Sequence, residues 1–236
     1  MAVSDGVAES ISSHLGLPED RIVRIYNPVV SDRLHSQSVK FPDHPWFSSS
    51  GPPIVLAAGR LKPQKDIPSL IRAFSIIQRE RPLRLIILGE GEEREDLEQM
   101  TRSLGIEDRV SLPGWVPNPY SYMSRSALFV HSSRYEGLGN VLIEALACGC
   151  PCVSTNCPSG PSEILSNGRV GPLVPVGDVE ALARAMKATL DSPPPRELLM
   201  DQASRFSVDN SISGYDTLIR AVTDHRHVAL GASIPG

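Results

Sequence analysis

Residues 53–91 read PIVLAAGRLKPQKDIPSLIRAFSIIQRERPLRLIILGEG. The stretch opens on one short apolar run, PIVLAAG, and closes on another, LRLIILG, with an amphipathic pattern between them. Ile67, Leu70, Ile71, Phe74 and Ile77 carry the spacing of a single helix face. Asp66 stands before them as an N-cap, and Pro68 falls in the first turn, where its missing N–H costs nothing. Two nearly continuous apolar strands joined by a helix make a β–α–β unit, whose strands run parallel and are covered on both faces.

Outward from this unit the alternation continues. RVSLPGW, ALFVHSS, PCVSTN and VGPLVPV are further strand candidates, and Val179, Leu182, Ala183, Met186 and Leu190 repeat the helical spacing behind Asp178. Six such units in about 140 residues predict an α/β fold, a doubly wound parallel sheet of Rossmann type over residues 53–206. The flanks do not fit this unit. Residues 1–30 offer one short helix and one strand, RIVRIYN, before Pro28. Two elements cannot bury a core, so the segment reads as the remnant of an N-terminal domain and the chain as incomplete. Residues 31–52 are rich in Ser and Pro and read as a linker. PRELLMDQASRF and ISGYDTLIRAV predict two terminal helices; residues 207–236 read as a C-terminal crossover helix ending in a frayed tail, HVALGASIPG.

A chain of 236 residues can bury a core without disulfides or a metal. A net charge of −4 with 21% charged residues gives no broad basic footprint, which argues against sequence-independent nucleic-acid binding. No apolar run approaches the roughly 18–20 residues of a membrane span, and MAVSDGVAES lacks the regions of a signal peptide, so a cytoplasmic location is expected. All four cysteines, Cys148, Cys150, Cys152 and Cys157, lie in CGCPCVSTNC. The C-x-C-x-C spacing lacks the C-x₂-C knuckles of a zinc site, and the run sits where a helix gives way to a strand, so small buried residues are expected rather than a metal centre.

Ligands of an open α/β sheet bind outside the carboxyl ends of its strands. The first strand ends in G-R-L-K-P-Q-K-D, whose Arg60 and Lys65 suit a diphosphate, Arg60 by its planar fork and Lys65 as a point charge. The second ends in LGEGEE. Its G-x-G lacks the third glycine of a dinucleotide fingerprint, and six acidic residues follow between Glu90 and Glu98, so an NAD site is rejected. The fourth runs into SSRYEGLGNVLIEALACG, residues 132–149. Its glycines admit unusual backbone angles, and a helix starting near Gly139 or Asn140 aims free N–H groups at an anion. Glu144 follows Glu136 by eight residues, a helical reach of ~12 Å, enough to put a carboxylate at each end of a sugar–pyrophosphate–sugar ligand.

The pattern E-G-x-G-N-x-x-x-E-A-x-A-C-G, with Glu136 and Glu144 as an E-x₇-E pair, resembles the donor-binding half of a family 4 retaining glycosyltransferase of the GT-B fold. The likeness continues through IYNPVV, AAGRLKPQKD, LGEGEE, LPGWVPN and PSEILSNGRVGPLVPVGD in the family's order, over roughly residues 20–192. It implies that Arg60 and Lys65 bind the diphosphate of a nucleotide sugar. Glu136 is then the catalytic-centre glutamate near the transferred sugar, as nucleophile or orienting acceptor, and Glu144 meets the ribose. Leu138, Gly139 and Asn140 would offer backbone amides to sugar or phosphate, and Gly114-Trp115-Val116 backbone groups to the base. Glu163 is expected to be structural. His131 stands where the family often has proline and is read as a core histidine, a donor contact being the alternative.

The resemblance further implies transfer with retention, no metal or other cofactor, and an acceptor such as a lipid-linked sugar, a glycan or a small molecule. It also implies a second, N-terminal domain for the acceptor, so this chain alone is expected to transfer sugar weakly or not at all, and the whole protein could lie peripheral to a membrane. Two other classes stay open: a sugar-nucleotide epimerase of the same architecture, and a nucleotide-sugar-binding module without turnover.

Overall fold

Six short strands form one parallel sheet: β1 (Ile54–Ala58), β2 (Arg84–Leu88), β3 (Val110–Gly114), β4 (Leu128–His131), β5 (Cys152–Thr155) and β6 (Leu173–Val174). Their order is β3-β2-β1-β4-β5-β6. The chain therefore winds away from β1 in one direction, returns, and winds away in the other, leaving a crevice at the reversal between β1 and β4. The computed structural model describes residues 1–48 and 50–231. Its helices in chain order are α1 (Asp5–Leu15), α2 (Asp32–Ser38), α3 (Ile67–Ile77), α4 (Arg94–Ser103), α5 (Pro119–Met123), α6 (Asn140–Ala147), α7 (Pro161–Ile164), α8 (Val179–Asp191), α9 (Arg196–Ser204) and α10 (Val208–Gly231).

The central strands β1, β2 and β4 are almost wholly apolar because each is covered on both faces. Ile54, Leu56, Ile86, Leu88 and Phe129 pack on one face with Leu142, Ile143 and Leu146 of α6 and Leu199 of α9. Val55, Ala57, Leu85, Ile87, Leu128 and Val130 pack on the other with Leu70, Ile71 and Phe74 of α3 and Leu182 and Met186 of α8. Each fully buried aliphatic or aromatic side chain contributes roughly 1.5–3 kcal/mol relative to exposure. Cys148, Cys150 and Cys152 belong to the first layer, and all four cysteines are buried free thiols.

Several expectations need correction. Residues 31–52 are not a bare linker. Ser31 caps α2 by accepting from the Leu34 N–H at 3.3 Å, Leu34 is fully buried, and Tyr122 donates to the Asp43 carbonyl at 2.8 Å. One buried leucine in seven residues leaves no periodicity to read. Among the described residues RIVRIYN joins no sheet. Arg24 bridges only Ala2, and Val30 beyond it bridges Ser207, while Ile25 is the buried residue of this run. VGPLVPV shrinks to the two residues of β6, bounded by Pro172 and Pro175, which have no N–H for a longer ladder. Asp178 caps α8 as expected, but Asp66 does not cap α3. Its backbone lies in the left-handed region at φ 46°, and its carboxylate turns to Arg134 at 3.3 Å. The expected tail starts at His227, yet α10 runs on to Gly231; residues 232–236 lie outside the described residues.

Candidate functional site

Two loops meet over the crevice, one after β1 and one after β4. Arg134 N–H donates to the Gln64 carbonyl at 2.8 Å, the Gln64 amide to the Tyr135 carbonyl at 2.9 Å, and Ser132 Oγ to the Lys65 carbonyl at 2.7 Å. These bonds bring together residues some 70 positions apart. Lys65 Nζ donates to Glu136 Oε1 at 2.5 Å, and Ser133 Oγ donates to the same oxygen at 2.7 Å. His131 Nε2 lies 3.1 Å from it. Burial alone raises the Glu136 carboxyl, but hydrogen bonds from His131, Lys65 and Ser133 and the electrostatic pull of His131 prevail and take it down to about 2.

Glu136 looks into a cleft of about 970 Å³ at the carboxyl edge of the sheet. Glu144, in the second turn of α6, lines the same cleft. Burial pushes its carboxyl up to about 7 against the opposing hydrogen bond from Tyr120. Tyr120 is raised in turn, first by its own burial and then by the Glu144 charge. Gly139, at φ 94°, turns the chain into α6, and no side chain caps the helix start. Leu142 N–H donates to the Gly139 carbonyl at 2.9 Å, which leaves the Asn140 and Val141 N–H groups, with the positive end of the helix dipole, available to an anion.

Glycines set the spacing of the cleft wall at two points. A side chain on Gly160 (φ 97°) would collide with the Leu138 carbonyl, so loop 158–161 presses directly on the 136–139 turn. One on Gly89 (φ 128°) would collide with the Gly59 carbonyl. There the loops after β1 and β2 cross, with Leu61 N–H donating to the Glu90 carbonyl at 2.9 Å. The G-x-G after β2 thus serves a backbone crossing and lines the cleft, where the sequence offered only a broken dinucleotide fingerprint.

Arg60, Lys65, Trp115, Val116, Glu136, Leu138, Gly139, Asn140 and Glu144 all line this cleft, as the sequence grouped them. Arg60 is exposed and makes no ion pair among the described residues, and Trp115 stands on the rim, 74% exposed. Gly114 does not reach the cleft: it closes β3, is buried, and its carbonyl accepts from Gly89 N–H at 2.8 Å. Gln64, Gly89, Glu90 and Asn27 line the cleft unforeseen. Asn27 Nδ2 donates to Asn140 Oδ1 at 2.9 Å, a contact between distant loops that spacing cannot reveal. Glu163 accepts from the Asp5 and Gly6 N–H groups at 2.9 and 3.3 Å and from the Tyr26 hydroxyl at 3.2 Å, and Ser4 Oγ donates to the Gly137 carbonyl at 2.6 Å. The start of α1 is thereby tied to the turn that carries Glu136. Among the described residues no three His, Cys, Asp or Glu side chains converge as metal ligands, and no helix is long and apolar enough to cross a membrane.

The sequence profile of the family described as "Glycosyl transferases group 1" matches residues 42–206, more than half of the chain. The chain belongs to the group 1 glycosyltransferases. Among its relatives, the N-acetylgalactosamine-N,N'-diacetylbacillosaminyl-diphospho-undecaprenol 4-alpha-N-acetylgalactosaminyltransferase of Campylobacter jejuni is 36% identical over 149 residues, covering 63% of this chain and 40% of the relative. The lipopolysaccharide core biosynthesis glycosyltransferase LpsE of Rhizobium meliloti is 33% identical over 188 residues, covering 78% of this chain and 51% of the relative. The chain therefore spans about half or less of these relatives' length. The same fold is seen in the crystal structure of Anabaena Alr3699/HepE in complex with UDP and glucose, which superposes at a TM-score of 0.78 and 23% identity over 94% of this chain and 62% of that one.

Proposed function

We propose that this chain is the donor-binding part of a retaining group 1 glycosyltransferase and holds a nucleoside diphosphate sugar in the cleft between β1 and β4. The observation that carries the reading is the convergence on one cleft of Arg60 and Lys65, an uncapped helix start, and Glu136 and Glu144, whose carboxyls differ in character. The bound UDP of the Anabaena protein and the transferase names of the relatives support it.

In this reading the diphosphate lies against Arg60, Lys65 and the first turn of α6, the ribose hydroxyls meet Glu144, and the transferred sugar meets Glu136. As the anomeric bond breaks, negative charge grows on the leaving diphosphate. Fixed cations and helix N–H groups stabilise it without reorganisation, which accounts for the proposed metal independence. A carboxyl as acidic as that of Glu136 is a poor base, so its role is to accept and orient a sugar hydroxyl. Transfer to an acceptor requires the rest of the protein; the Campylobacter relative, named for a diphospho-undecaprenol saccharide, favours a lipid-linked or glycan acceptor. Calorimetric titration of this chain with UDP, GDP, ADP and their glucose esters is the test. Saturable binding of one nucleotide series is expected, and the absence of heat at millimolar ligand contradicts the reading.

A further inference from the structure

The two oxygens of Glu136 are treated unequally. Oε1 receives Lys65 Nζ at 2.5 Å and Ser133 Oγ at 2.7 Å, with His131 Nε2 at 3.1 Å, whereas Oε2 makes no hydrogen bond among the described residues. Glu136 is one-tenth exposed and lines the cleft.

The hydrogen on Nε2 can be assigned by counting donors. Ser133 Oγ lies 3.1 Å from Nε2 but has one hydrogen, which goes to Glu136. The ionised carboxylate has none. Only the ring can supply a hydrogen to the Nε2–Oε1 contact. On its other side, Nδ1 meets Ser154 Oγ at 2.9 Å; with Nε2 protonated on a neutral ring, Nδ1 accepts the Ser154 hydroxyl hydrogen, for which the Thr155 carbonyl at 2.9 Å competes, and Ser154 is the in-register neighbour of His131 across β4 and β5. With both nitrogens engaged and the ring 4% exposed, the imidazole cannot turn away.

We infer that His131 is a positioning residue: it donates from Nε2 to one oxygen of Glu136 and, with Lys65 and Ser133, clamps that oxygen, so that the other faces the cleft as a fixed acceptor for a hydroxyl of the donor sugar. His131 itself touches no ligand. The clamp rests on the donor-site reading above for the identity of the ligand, but the placement of the ring hydrogen does not.

The two parts are therefore tested separately. Long-range proton–nitrogen correlation spectra of the unliganded chain are expected to show a protonated Nε2 at neutral pH. An unprotonated Nε2 overturns the inference. UDP and UDP-glucose are then titrated into the wild type, His131→Leu and His131→Gln. Leucine is expected to weaken UDP-glucose at least tenfold more than UDP, and glutamine, whose amide can donate from nearly the same place, to recover most of that difference. Equal losses for both ligands in both variants make His131 a packing residue and overturn the clamp. If the wild type takes up neither ligand, the donor-site reading falls, and the nitrogen spectrum alone decides whether His131 holds Glu136.

Discussion

Glu136 and Glu144 come from one short stretch, yet their surroundings drive them apart. Strong donors around Glu136 hold it ionised, whereas Glu144 meets apolar walls and one tyrosine, and stays protonated up to about pH 7. If Glu144 accepts ribose hydroxyls as an anion, binding must expel its proton. UDP-glucose, whose diphosphate has no proton to lose near pH 7, is therefore expected to bind more tightly as pH rises from 6 to 8 and to release protons. Calorimetry in two buffers of different ionisation enthalpy measures this, and Glu144→Gln is expected to abolish it.

The signs for stability follow from the same two shifts. Glu144, raised when folded, costs stability progressively as pH climbs from about 4.5 through 7. Glu136, depressed, contributes stability above its unfolded value that is lost as pH falls toward 2. Substitution separates the pair further. Glu144→Ala is expected to weaken UDP and UDP-glucose alike, by ~1–3 kcal/mol for hydrogen bonds to a charged group. Glu136→Ala is expected to weaken only the sugar nucleotide, as read by titration. The motif made both glutamates legible in the sequence. Their contrast was not, because the Lys65 partner lies 71 residues away and the His131–Ser154 contact depends on the register of β4 and β5.

At the level of elements, the site is shaped by loops pressed against one another. Gly160→Ala adds a Cβ at a left-handed φ directly against the Leu138 carbonyl, and is expected to cost more than 2 kcal/mol in denaturant unfolding and to weaken UDP-glucose through the displaced turn. Gly177→Ala is the control: φ is also positive there, but its Cβ would meet open space, so only the backbone penalty of about 1 kcal/mol is expected. The strands and α3, α6 and α8 were readable because long apolar patterns repeat with one period. α2 was not, since its burial rests on Leu34 and its anchoring on the Gln37 and Ser38 carbonyls, which accept from Asn118, Ser124 and Arg125. Leu34→Ala is accordingly expected to cost 2–5 kcal/mol, far more than a linker residue would.

For the whole molecule, the strand order decides where the site can be. Reversal between β1 and β4 leaves their carboxyl ends without a covering crossover, and the cationic loop, the Glu136 turn and the start of α6 all open there. If Arg60 and Lys65 meet the leaving diphosphate as proposed and no divalent ion is needed, UDP affinity is expected to be unchanged by EDTA or by added magnesium or manganese. The central claim, that this crevice receives a nucleoside diphosphate sugar with its sugar toward Glu136, is tested most directly by amide chemical-shift mapping on the isotopically labelled chain with UDP and then UDP-glucose. UDP is expected to shift amides in residues 59–65, 115–116 and 138–144, and UDP-glucose to add shifts at residues 131–137. Perturbations elsewhere on the surface, or none at millimolar nucleotide, would contradict the account.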